Sequence, residues 1–200
     1  MTAGAIRGSP GWTPDGRPSA TARTPAHYRG DMPLFSRRTV LPPDVRARLH
    51  LSRGDRVIAS AEITGGWAVA SRLALHATAV DGEVRRRPWA DVDRARLDPD
   101  TDTITVVWVD GETLDLQLVN NQQPTFARAV RERVQSSVVH SETVQLTGGG
   151  QVRVALRRDE RGRLFSQLIG TGQVDLANPA VAALVDAAEA RVRGAAGLPL

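Results

Sequence analysis

The sequence predicts a mainly β, α+β fold, and three observations carry that prediction. Between Gly54 and Val139 a series of short segments shows strand-like alternation. Two Asp-Gly pairs, Asp81-Gly82 and Asp110-Gly111, stand between such segments, where the tight primed turns of hairpins need residues that tolerate positive φ. One amphipathic stretch then closes the series. An antiparallel meander covered by a single helix is the arrangement that buries both apolar surfaces.

Each element follows in order. Arg56–Ile63 reads as a strand ended by a Thr64-Gly65-Gly66 turn. Trp67–Val80 is long enough for one bent strand or two short ones. Trp67, Val69, Ser71, Leu73, Leu75, Ala77 and Ala79 share one face by period two, which leaves His76 on the opposite, exposed face. Glu83–Leu97 follows the first Asp-Gly turn and is interrupted by Pro88, which lacks a ladder donor and therefore marks an edge or a break. Thr103–Val109 is the densest β-branched run, and Thr113–Val119 alternates cleanly after the second Asp-Gly turn. Pro124 suits the first turn of a helix over Pro124–Ser137, with Phe126, Val130, Val134 and Val138 in one apolar stripe. Val138–Leu146, Gln151–Arg158 and Arg163–Ile169 read as three further strands, the last two forming a hairpin. Asn178-Pro179 supplies an N-cap and first-turn proline for a helix over Pro179–Arg193, with Gly194 as its stop.

Composition limits the function classes. The 200 residues contain no Cys, which excludes disulfides and thiolate metal sites. No apolar run is long enough to span a bilayer and no apolar signal core opens the chain, so a cytoplasmic protein is expected. All 26 basic residues are Arg, against 22 acidic ones, for a net charge of +4. The pI of about 10.9 then reflects the absence of groups titrating between His and Arg, and nucleic acid is not an expected partner. Residues 1–31 are rich in Gly, Pro, Ser, Thr and Ala without apolar period, too poor in hydrophobic surface to offset their ordering entropy. Met32 is read as the natural start. The alternative is a flexible arm that binds a partner.

A family resemblance rests on three stretches. They are RVIASAEITGGWAVASRLALHATAV at 56–80, the basic-Pro-Trp break Arg85-Arg86-Arg87-Pro88-Trp89-Ala90-Asp91-Val92, and the closing helix FARAVRERV at 126–134. With them the chain resembles bacterial pleckstrin-homology-like domains, and over 33–197 it is similar to uncharacterised actinobacterial proteins of that type. The resemblance implies a strongly bent antiparallel sheet, or split barrel, capped by its C-terminal helix. It also implies a binding module for phosphoinositides, peptides or proteins, with a protein partner the better transfer to a bacterium. The expected organisation is a disordered segment 1–31, a linker with a short helix at 32–50, the pleckstrin-homology-like unit at 51–139 and a hairpin-plus-helix extension at 140–197.

Chemistry-bearing residues are few. Arg85, Arg86 and Arg87 form the one local basic cluster, with Arg85 and Arg87 on one strand face and Arg86 on the other. They read either as a phosphate or anionic-lipid contact or, preferably, as a charged edge that resists mispairing. Trp67, Trp89 and Trp108 read as anchors of the core and rim, with Trp89 expected to be partly exposed at the strand break. His140, Ser141 and Glu142 imitate a triad in name only, since neighbours in a strand face opposite ways. Asp98-Pro99-Asp100-Thr101-Asp102 is a turn without the Gly and distal Glu of a calcium loop. Gly148-Gly149-Gly150 lacks the Lys-Ser or Lys-Thr of a phosphate loop and reads as a flexible linker between strands. No catalytic, metal or cofactor residues are expected. The partner surface is assigned to Arg85, Arg86, Arg87, Trp89, Arg128 and Arg131, along the edge strand Glu83–Trp89 and the groove beside the helix Pro124–Ser137. An unidentified protein or a second copy is the expected partner, with weak contact to an anionic membrane surface as the alternative.

Overall fold

The computed structural model describes residues 40–79, 81–119, 123–146, 149–171 and 174–198. The expectations for residues 1–31 and for Met32 lie outside the described residues. A short helix α1 (Pro43–Arg48) precedes a four-stranded antiparallel sheet of β1 (Val57–Ile63), β2 (Gly66–Ser71), β3 (Ala74–Ala79) and β4 (Val84–Pro88), in that order. A 3-10 turn, Trp89–Asp91, leads into a second antiparallel sheet of β5 (Val92–Asp98), β6 (Thr103–Trp108) and β7 (Thr113–Gln117). Helix α2 (Gln123–Ser137) follows. Strands β8 (Val138–Gln145), β9 (Gln151–Arg158) and β10 (Leu164–Thr171) form a third antiparallel sheet in the order β10-β9-β8, and α3 (Pro179–Ala195) ends the chain.

The described strands form three antiparallel sheets and no closed barrel. The four- and three-stranded sheets touch through one bridge, Ile63 to Leu118, flanked by hydrogen bonds from the Thr64 amide to the Gln117 carbonyl and from the Val119 amide to the Glu62 carbonyl, both 2.9 Å. At the opposite corner Pro88 ends β4, and the 3-10 turn redirects the chain into the next sheet. A continuous ladder cannot pass a residue without an amide hydrogen followed by a helical turn. The two sheets instead share a core in which Leu75, Trp89, Val92, Ile104, Val106, Trp108 and Leu116 meet Phe126, Ala129 and Val130 of α2. The helix therefore covers the opening between sheets, as the amphipathic stripe predicts.

Some local expectations change. Of the stretch Trp67–Val80, the described residues 67–79 belong to a hairpin of β2 and β3 turning at Arg72-Leu73, so the period-two face does not run through it. Ala68, Val69, Ala70 and Ser71 are all buried, as are Ala74, Leu75 and His76, because both faces of this hairpin are covered. His76 is fully buried rather than exposed. It shares a face with Val69, away from the core cluster. Val45 and Leu49 at α1 are buried, and Arg48 reaches the β3–β4 turn at Gly82. Trp89 is buried, 5% exposed, rather than partly exposed, and its indole N–H donates to the Ser71 carbonyl at 3.0 Å. Val138 leaves the helix stripe to begin β8 without an intervening loop. Gly194 lies inside α3, and the turn that ends it has Gly197 at φ +70. Asn178 caps α3 as predicted, accepting from the Ala180 amide.

The third sheet has two different faces. Val152, Val154 and Leu156 pack on Val185, Ala188 and Val192 of α3, a separate small core. From the other face of β9, Arg153 pairs with Asp93 of β5 and Arg157 enters the seam with the first two sheets. Residues 37–200 form one compact unit. No described helix is long and apolar enough to cross a membrane.

Candidate partner-binding surfaces

β4 is an outer strand, and its three arginines divide between faces as the alternation predicts. Their availability differs. Arg87 lies 4.8 Å from the Trp108 ring centroid and donates to Asp110 at 2.8 Å and Glu112 at 3.3 Å. The Asp110 hydrogen bond raises the Arg87 pKa, and the same contact holds the Asp110 carboxyl below its ordinary range. Arg86 pairs with Glu160 in the β9–β10 turn. Arg85 is exposed, with no carboxylate partner among the described residues. The cluster that reads as one basic patch is therefore two internal ties and one free cation.

Asp91, in the 3-10 turn, has its carboxyl pushed up by burial, an effect opposed by Arg87. His140 is exposed, and Glu142 is engaged by Arg191 of α3, which lowers its pKa. His140 and Glu142 share one face of β8 and Ser141 alternates to the other. Asp98 accepts from the Asp100 amide at 3.0 Å and Asp102 has φ +54, the geometry of a turn. Across the glycine run the Leu146 amide donates to the Gly150 carbonyl at 2.9 Å, a hairpin closure between β8 and β9. Gly148 itself lies outside the described residues. No cluster of three potential metal ligands occurs among the described residues.

The larger candidate surface is a groove of about 640 Å³ between α2 and the outer strand β5. Its apolar lining comes from Ala95, Leu97 and Ile104 on the sheet and from Ala127, Val130 and Val134 on the helix. Arg94, Arg96, Arg128 and Arg131 stand around it. Arg94 bonds Asp93 at 2.8 Å, a carboxylate it shares with Arg153, and Arg128 bonds Glu132 at 2.8 Å. Arg96 and Arg131 have no carboxylate partner among the described residues. Of the six residues assigned to the partner surface from sequence, Arg128 and Arg131 are thus brought to one groove, while Arg85, Arg86 and Arg87 lie on β4 and Trp89 is buried. Sequence reading missed Arg94 and Arg96, whose alternation with Ala95 and Leu97 was the available signal.

A smaller cleft of about 320 Å³ lies where the β2–β3 turn, the 3-10 turn, the end of α2 and the β9–β10 turn meet. Arg72, Arg133, Arg158 and Arg161 line it, and no sequence pattern joins Arg72 and Arg133 to the pair at 158 and 161. Just behind it, Arg157 is fully buried, donating to the Val92 carbonyl at 2.8 Å and the Ser137 hydroxyl at 3.1 Å. Burial, with Arg153 nearby, pushes its pKa down to about 10.

Comparison with known proteins leaves these surfaces to be read from their own chemistry: no family model, no curated protein and no solved structure matches this chain.

Proposed function

We propose that the chain is a non-enzymatic binding module built on a pleckstrin-homology-like unit at residues 51–139, and that its partner is a protein with an acidic, extended segment. Four plus three antiparallel strands meeting at one corner, with the opening filled by the helix that follows them, support the pleckstrin-homology-like reading. The observation that carries the binding role is the groove between α2 and β5. β5 is an outer strand, so its unpaired backbone groups can accept an added strand, while alternate side chains of that strand enter the apolar lining. Arginines around the groove select carboxylates and repel a second copy of the same surface, which favours a different protein over self-association here.

The anionic-membrane reading through Arg85, Arg86 and Arg87 has less support, because two of the three are engaged internally. Charge-assisted pairs of this kind must be broken before either guanidinium can take a headgroup.

The test is fluorescence anisotropy with labelled peptides of alternating Val and Glu, compared with peptides of alternating Val and Lys. The acidic peptide is expected to bind and to weaken with salt, and Arg96→Glu/Arg131→Glu to reduce its affinity about tenfold or more. Failure of both peptides to bind, or equal binding to the charge-reversed variant, would remove the proposal.

A further inference from the structure

The smaller cleft carries an inference independent of the groove, with which it shares no residue. Arg72 from the β2–β3 turn, Arg133 from α2, and Arg158 and Arg161 from the end of β9 and its turn converge there. Two carboxylates stand in the same wall, but both are committed elsewhere. Asp159 bonds the Arg163 side chain and the Arg161 and Arg163 amides, each at 2.8 Å, and Glu160 pairs with Arg86. None of the four lining arginines has a carboxylate partner among the described residues. The C-terminal end of α2 contributes a negative partial charge of roughly half a unit, which offsets only a fraction of this excess. Ser136 and Ser137 direct their hydroxyl protons back to helix carbonyls, at 2.9 and 2.7 Å. Behind Ser137 lies a fifth guanidinium, Arg157, two of whose nitrogens have no hydrogen-bond partner among the described residues.

Like charges gathered in a concave site raise the local potential and concentrate counter-ions. Planar guanidinium forks match phosphate oxygens in pairs, more closely than ammonium groups do. A cleft of about 320 Å³ is at the lower end for small-molecule sites, which favours a compact ligand. Asp159 and Glu160 at its side repel a long polyanion that would have to pass them. We propose that this cleft binds a small phosphate-bearing anion, a diphosphate or a phosphate monoester, held between Arg72 and Arg133 on one side and Arg158 and Arg161 on the other. Leu73 and Ala90 in the lining leave room for a small apolar portion of the same ligand. Such an anion would tie the third sheet to the first two, so binding and thermal stability rise together.

Calorimetric titration and thermal melting of the full chain with sodium pyrophosphate test the site. Phosphatidylcholine vesicles with and without phosphatidic acid separate a free ligand from a lipid headgroup. Saturable pyrophosphate binding and a raised Tm are expected, with affinity reduced about tenfold or more in Arg133→Gln/Arg161→Gln and unchanged in Arg96→Glu/Arg131→Glu. Binding only to the phosphatidic acid vesicles, with the same loss in Arg133→Gln/Arg161→Gln, would assign the phosphate to a headgroup at this site. No binding to either probe, or binding that Arg133→Gln/Arg161→Gln leaves intact, would overturn the proposal.

Discussion

His76 is held in a site that suits only its neutral form. Its Nε2 lies 3.2 Å from the Ser71 hydroxyl, whose own proton is directed to Asp55 at 2.9 Å or to the Ala74 carbonyl at 3.0 Å. The same hydroxyl oxygen accepts from the Ala74 amide at 3.0 Å, and among the described residues the buried His76 Nδ1 has no hydrogen-bond partner. Burial lowers the His76 pKa, Arg86 lowers it further and Asp55 opposes them. The unfolded chain binds this proton more readily than the native one. Stability is then complete above the ordinary histidine value of 6.5 and falls as pH drops through it. Thermal melts of the wild type should show Tm falling across that range, and His76→Gln, which keeps a polar group beside Ser71, should flatten the slope. Equal slopes for the two proteins would contradict this account. The sequence could not reveal this histidine's burial, because period-two counting assumes one dry face and one wet face. Here Val69 and His76 are dry on the second face as well.

Among the elements, the hairpins were legible because their turns are chemical. Asp81-Gly82 and Asp110-Gly111 stand where Gly82 and Gly111 have φ +94 and +87, values open to Gly at no steric cost. Pro88 announced the end of β4 for an equally local reason. What it did not announce was the 3-10 turn that drives Trp89 inward, since whether the residue after a break is dry depends on what packs there. Register shifts in β5 and β8 were invisible too. The shift between Val92 and Arg94 leaves Val92 and Asp93 both buried, placing Asp93 beside Arg153 of the third sheet. The groove was legible on its helix side, through Arg128 and Arg131, but its sheet side required knowing that β5 is an outer strand. Gly66 provides a test of element pairing. A Cβ there would sit 1.8 Å from the Thr78 carbonyl oxygen, and Thr78 also receives the Trp67 amide on its hydroxyl at 3.1 Å. Backbone cannot yield as a flexible side chain can, so Gly66→Ala should cost about 3 kcal/mol or more in chemical denaturation. A loss below about 1 kcal/mol would mean that β2 and β3 separate easily at this end.

For the molecule as a whole, the third sheet is bound to the rest by its chain junction, by the outer pair of Arg86 with Glu160, and by two arginines of β9. Ser137 and Val138 join α2 to β8 directly, leaving no linker to absorb a swing. Arg157 sits in the seam, its guanidinium satisfied in part by the Val92 carbonyl and the Ser137 hydroxyl, and Arg153 neutralises the buried Asp93. These contacts pass from β9 to both β5 and α2, so parting the sheets would expose two arginines and a carboxylate to new partners at once. A buried charge left without its counterpart is far costlier than the intact pair is stabilising. Of the described tryptophans, Trp67 and Trp108 lie in the first two sheets and Trp89 in the turn that joins them, while far-ultraviolet circular dichroism reads all three sheets. Urea unfolding followed by the two signals should give one shared midpoint, the mark of a single cooperative transition. In Arg153→Ala/Arg157→Ala the dichroism transition should begin at lower urea than the fluorescence transition, as the third sheet loses its hold and unfolds first. Separate midpoints in the wild type would show that β8, β9, β10 and α3 are an independent unit. Coincident midpoints in the double variant would show that the junction and the Arg86–Glu160 pair, and not Arg153 and Arg157, couple the sheets.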